Sequence, residues 1–97
     1  MLRARLTPTD ESAAKLRGQR VIAFAGIGRP RKFFDTLRAL GCTLLAEHAF
    51  ADHHPFASSE IQTLLSEART ADALPVTTRK DFVRIAPQQR AGIEVLD

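Results

Sequence analysis

The chain is 97 residues long, 44% hydrophobic and 26% charged, a composition ordinary for one globular domain with one core. Fourteen Lys and Arg against eleven Asp and Glu leave a net charge of +3, a mild basic excess that permits an anionic partner without requiring one. The longest apolar or glycine run is 21–28, far short of the ~20 residues of a membrane span, residues 1–20 have no apolar signal region, and the absence of Trp and Tyr argues against a stacking surface for nucleic acid.

Residues 1–19 are polar and carry Arg3, Arg5 and Arg17. Thr9 or Asp10 is placed to cap a short helix that runs through Leu16 and ends at Gly18, and a linker fits the same residues equally well. The α/β part is expected over 20–97. It opens with Val21-Ile22-Ala23-Phe24-Ala25-Gly26-Ile27, a short apolar run bounded by turn residues, which predicts a buried parallel strand. Gly28-Arg29 leads to Pro30, a favoured first helical residue, and Phe33, Phe34, Leu37 and Leu40 then mark one helix face, with Gly41 at its end. Cys42, the single cysteine, excludes an internal disulfide, fits a reducing compartment and reads as a small core or edge residue.

Thr43-Leu44-Leu45-Ala46-Glu47-His48-Ala49-Phe50 predicts a second strand. It runs into Ala51-Asp52-His53-His54-Pro55-Phe56, where an acid and two imidazoles adjoin and Pro55 keeps His54 out of the helical region. Ser58 or Ser59 is placed to cap the next helix, Ser59 and Gln62 having capping-box spacing, and Ile61, Leu64, Leu65 and Ala68 form its apolar face. Leu74-Pro75-Val76-Thr77-Thr78 predicts a third strand, Arg79-Lys80-Asp81 a polar turn, Phe82-Val83-Arg84-Ile85 a one-turn or irregular element, and Ile93-Glu94-Val95-Leu96 a fourth strand. The fold class that follows is α/β: a small Rossmann-like, three-layer domain, with a mostly parallel sheet of about four strands and helices on both faces. Ligands of such sheets meet the carboxyl ends of the strands, and three polar turns fall there: Gly26-Ile27-Gly28-Arg29, Asp52-His53-His54 and Thr77-Thr78-Arg79-Lys80-Asp81.

Each turn admits a plain alternative. Gly26-Ile27-Gly28 resembles the opening of a dinucleotide fingerprint, but Arg31 stands where the third glycine belongs, so a tight strand-to-helix turn fits as well. Its helix N-terminus, with Arg29, Arg31 and Lys32, favours an anion. Asp52, His53 and His54 have ligand chemistry for zinc or iron; however, neighbours in an extended segment face opposite ways, which would leave Asp52 and His54 on one side and no full ligand set. General acid–base work suits them better, and a structural turn remains open. Thr77–Asp81 either holds a phosphate or is a hydrophilic turn with an internal Lys–Asp or Arg–Asp pair. There is no G-x-x-x-x-G-K-[ST] run, so no P-loop of the standard kind.

Three blocks together carry a resemblance. Val21-Ile22-Ala23-Phe24-Ala25-Gly26-Ile27-Gly28-Arg29-Pro30 with Lys32-Phe33-Phe34, then Phe50-Ala51-Asp52-His53-His54-Pro55-Phe56, then Val76-Thr77-Thr78-Arg79-Lys80-Asp81-Phe82-Val83-Arg84 closely resemble the C-terminal domain of the tetraacyldisaccharide 4′-kinase family, the lipid A kinases of Gram-negative bacteria. The resemblance covers residues 20–96. It implies transfer of the γ-phosphate of ATP, with Mg2+, to the 4′-hydroxyl of tetraacyldisaccharide 1-phosphate, at the cytoplasmic face of the inner membrane. It also implies that ATP, Mg2+ and the membrane-anchoring helix belong to an N-terminal P-loop domain of the same protein, so that this part alone is soluble, inactive and without cofactor. The partners it implies are that domain, the lipid A disaccharide precursor and the inner membrane, and no nucleic acid.

By the same resemblance Asp52, His53 and His54 are catalytic, one histidine supporting an N-domain aspartate that takes the proton of the sugar hydroxyl. His53 is favoured for this, though the sequence does not separate it from His54. Gly26, Gly28, Arg29, Thr78, Lys80 and Asp81 are expected to line the substrate and interdomain cleft. Arg79 departs from the family, which commonly has Glu there. Two other functions fit the residues alone: a free-standing Rossmann-like module binding a nucleotide or phosphorylated ligand at Gly26–Arg29, and a small metal-dependent hydrolase built on Asp52–His54.

Overall fold

A computed structural model describes residues 16–96. The elements are β1 (Arg20–Ala25), α1 (Pro30–Ala39), β2 (Thr43–Ala49), α2 (Ser58–Ala71), β3 (Leu74–Thr78), the one-turn α3 (Arg79–Phe82), a 3-10 turn (Pro87–Gln89) and β4 (Glu94–Leu96). The sheet order is β2-β1-β3-β4 and every pairing is parallel. The α/β expectation therefore holds, with the sheet wholly rather than mostly parallel. The short helix predicted over 9–16 lies outside the described residues, apart from Leu16, which is buried in the core; Cys42 donates its thiol hydrogen to the Leu16 carbonyl at 3.2 Å.

β1 is central, which is why it has the most apolar sequence. Val21, Ala23 and Ala25 pack on one side with Phe33, Phe34 and Leu37 of α1 and with Val76 and Leu96. Phe24 turns to the other side, against Ile61 and Leu64 of α2 and against Ile85 and Ile93. Burying each of the larger of these side chains contributes about 1.5–3 kcal/mol. β2 lies at the edge, and its alternate residues are exposed, unlike those of β1. The connection from β2 to β3 passes over β1, so α1 and α2 lie on opposite faces. The chain thus leaves β1 and β3 in opposite directions, and a crevice opens between their carboxyl ends, where such sheets bind ligands.

Two local expectations are corrected. Neither serine caps α2. Its N-cap is Ala57, whose N–H donates to Glu60 Oε1 at 2.9 Å, so the acid in the first turn does what the Ser59–Gln62 pair was expected to do. The predicted polar turn over 79–81 is itself the helical turn α3, because Thr78 Oγ1 accepts from the Asp81 N–H at 3.2 Å and starts the helix one residue after β3. Gly41 ends α1 as expected, with φ +89°, a region that costs glycine nothing.

Candidate functional site

The three polar turns meet at the crevice, and Gly26 is where they join. Its N–H donates to Asp81 Oδ2 at 3.1 Å. Its carbonyl accepts from the His53 N–H at 3.0 Å and from Arg84 Nη2 at 3.0 Å. A Cβ at this position would stand 3.0 Å from the Ala51 carbonyl oxygen and 3.3 Å from His54 Cβ. Glycine is thus required by the close approach of the 51–54 backbone.

Asp81 is fully buried. Besides the Gly26 N–H, its Oδ2 accepts from Thr78 Oγ1 at 2.6 Å, and its Oδ1 pairs with Arg84. Asp81 thus has an arginine partner, Arg84, which lies just beyond the segment 77–81 in which an internal pair was expected. The reason is helical spacing: residues three apart share a face of the turn that α3 begins. Arg84 was not singled out from the sequence, although Asp81-x-x-Arg84 was the signal available. Of the residues expected in the cleft, Arg29, Thr78 and Lys80 border an open hollow of ≈ 450 Å³ with an apolar floor of Ile27, Phe33 and Leu96. Gly28 stands on the Asp52 side instead, its hypothetical Cβ 3.7 Å from Asp52 Oδ2, and Asp81 lies beneath the surface.

The Asp52-His53-His54 segment is a turn rather than an extended strand end. The His54 N–H closes onto the Ala51 carbonyl at 2.9 Å, and His53 has φ +62°, a left-handed conformation uncommon for a residue with a side chain. Alternation along an extended chain therefore does not apply, and the two histidines differ in surroundings. His54 stacks on Phe50 with ring centroids 4.8 Å apart, meets Phe56 edge-on at 5.3 Å, and places Nε2 2.9 and 3.0 Å from the two Glu60 oxygens. Glu60 is held below the usual carboxylate range, first by the Ala57 N–H and then by the His54 ring. His53 has an 80% exposed side chain, with Nε2 3.9 Å from Asp52 Oδ1 and Nδ1 3.5 Å from Arg84 Nη1. Glu60 was also missed in the sequence as a site residue; its place in the first turn of α2 was the clue.

The third histidine, His48, pairs with Glu67 on α2 at 2.8 Å, away from the crevice. Burial pushes the Cys42 thiol up, in keeping with its reading as a core residue. Among the described residues no three His, Cys, Asp or Glu side chains gather as a metal site. The arrangement can present an exposed, oriented imidazole at the carboxyl edge of the sheet, beside a carboxylate and a group of cations.

The family described as tetraacyldisaccharide-1-P 4′-kinase matches residues 1–96. The chain is 55% identical over 96 residues to the tetraacyldisaccharide 4′-kinase of Rhodospirillum rubrum, covering 99% of this chain and 29% of that protein. It is 52% identical to the same enzyme of Rhodospirillum centenum and 51% identical to that of Paramagnetospirillum magneticum, in each case over 99% of this chain and 28% and 29% of theirs. The chain thus spans less than a third of the length of these curated relatives. No solved structure matches it. With the three sequence blocks gathered at one sheet edge and a match running from residue 1 to residue 96, the chain belongs to the tetraacyldisaccharide-1-P 4′-kinase family.

Proposed function

We propose that this chain is the acceptor-side part of a lipid A kinase, which transfers the γ-phosphate of ATP to the 4′-hydroxyl of a tetraacyldisaccharide 1-phosphate at the cytoplasmic face of the inner membrane. The observation that carries the reading is the family match along almost the whole chain. The crevice supports it, since it places an oriented imidazole where a second domain can close on it. ATP and Mg2+ are assigned to the remainder of the protein, because the donor set of this chain fits neither: it has no P-loop sequence and, among the described residues, no metal cluster.

Phosphoryl transfer depends chiefly on positioning and on electrostatics. His53 is the residue assigned to the acceptor side, where its ring supports the carboxylate that takes the hydroxyl proton. The exposure of His53 and the enclosure of His54 between Phe50, Phe56 and Glu60 favour this division of roles. Asp52 borders His53 and Gly28, and Arg29, Thr78 and Lys80 lie along the same edge.

The test is a chimera: the R. rubrum kinase with its matching 96 residues exchanged for those of this chain. The expected result is 4′-kinase activity, lost by roughly 100-fold or more in turnover in His53→Ala with the KM for ATP little changed. An inactive but folded chimera, or a His53→Ala variant with wild-type turnover, would refute the respective part of the reading. The isolated chain is expected to bind no ATP; tight binding would favour a free-standing nucleotide module instead.

A further inference from the structure

We infer that Arg84 is a positioning residue for His53, holding the imidazole in the tautomer that carries its proton on Nε2. The inference rests on the role proposed for His53 above, and it concerns a residue that does not itself reach a substrate.

Arg84 is anchored from below. Its Nη2 is paired with Asp81, which is fully buried, and donates to the Gly26 carbonyl at 3.0 Å. Asp81 is in turn fixed by the Gly26 N–H and the Thr78 hydroxyl. Arg84 therefore has little freedom, and the fork of its guanidinium directs Nη1 to His53 Nδ1, 3.5 Å away. The same Gly26 carbonyl also receives the His53 N–H, so the backbone of the histidine and the side chain of the arginine share one anchor.

A guanidinium has donors and no acceptor, and a neutral imidazole has one of each. Nδ1 must therefore offer its lone pair to Arg84, and the proton resides on Nε2. That nitrogen lies 3.9 Å from Asp52 Oδ1, on a largely exposed ring. An Nε2–H on that side is the donor a carboxylate base needs to be held in place. The left-handed backbone of His53 costs on the order of 1 kcal/mol and persists only where the surroundings impose it; here the His53 N–H bond to the Gly26 carbonyl and the His54 N–H bond to the Ala51 carbonyl do so.

A merely structural Arg84 would stabilise the turn without setting the tautomer, and two measurements separate these roles. The first is nitrogen-15 NMR of the histidine rings in the 97-residue chain. The wild type is expected to show His53 in the Nε2–H form alone, and Arg84→Met to show both forms. Arg84→Lys keeps a charge beside Asp81 but lacks the fork; it is expected to fold and to give the same change if the Met variant does not fold. A tautomer distribution unchanged in the folded variant overturns the inference. The second is a double-mutant cycle in the chimera described above. Arg84→Met is expected to lower kcat roughly 10- to 100-fold with the KM for ATP within about twofold, and to have no further effect on top of His53→Ala. Losses that multiply would show that Arg84 does not act through His53. A His53→Ala variant with wild-type turnover would instead refute the role of His53 itself, whatever Arg84 does.

Discussion

Asp81→Asn tests whether the buried carboxylate holds the crevice together. The substitution keeps size and shape and removes one charge. Asp81 Oδ2 receives the Gly26 N–H and the Thr78 hydroxyl, while Oδ1 faces Arg84. If the asparagine oxygen stays with Gly26 and Thr78, its NH2 group meets the Arg84 guanidinium, donor against donor. If the amide flips, both neutral donors lose their acceptor. Either way Arg84, only a quarter exposed, keeps a charge without its counter-charge. Removing one partner of a buried pair costs about 3–5 kcal/mol, and the partial exposure of Arg84 places the expectation at the lower end, about 3 kcal/mol. With a urea m-value of roughly 1 kcal/mol per molar for a domain of this size, the unfolding midpoint should fall by about 3 M. Adding Arg84→Met removes the stranded charge and should restore part of the loss. A midpoint shift corresponding to less than about 1 kcal/mol, or a double variant less stable than Asp81→Asn, would refute the reasoning.

Three further outcomes follow from the same geometry. Gly26→Ala should destabilise by about 1–3 kcal/mol in urea unfolding, since the added methyl would meet the backbone oxygen of Ala51 at 3.0 Å, an atom that cannot turn aside as a side chain can. Glu60 has its carboxyl lowered from an ordinary 4.5 by the Ala57 N–H and His54, so its contribution is fully present above pH 4.5 and is lost as the pH falls through the lower folded-state value. Glu60→Gln should therefore flatten the acid side of the stability–pH curve below pH 4.5, and an unchanged slope would contradict the assignment. His54→Ala should reduce stability through lost contact with Phe50 and Phe56, while His53→Ala, largely exposed, should leave the thermal midpoint nearly unchanged. Equal losses would remove the distinction between the two rings.

Much of this arrangement is legible along the chain. The uniform apolarity of residues 21–25 marks a strand covered on both faces, and the 3.6-residue spacing of Phe33, Phe34 and Leu37, and of Ile61, Leu64 and Ala68, marks the helices that cover it. Alternation of strands and helices then requires parallel pairing, and parallel pairing puts every strand-to-helix turn on one edge. For that reason the glycine turn, the Asp-His-His turn and the third block fall together at one edge. The local signals that misled were those with close competitors. Two serines open α2, yet a glutamate in its first turn does the capping, and a run of three polar residues is a helix turn because a threonine hydroxyl comes just before it.

The sequence alone determined the strand and helix order, the sheet edge that carries the polar turns, and the identity of the residues brought to it, because these depend on periodicity and chain connectivity. Only the tertiary structure decided how His53 and His54 differ and what Asp81 and Arg84 do. The two histidines are adjacent in sequence, but one turns in to Phe50, Phe56 and Glu60 and the other out to solvent. The bond from Gly26 to Asp81 joins residues 55 positions apart, and that from Arg84 to Gly26 joins residues 58 apart. No local pattern encodes such a bond. It forms because β1 and β3 lie side by side and the turns that follow them compete for the same small space above their ends.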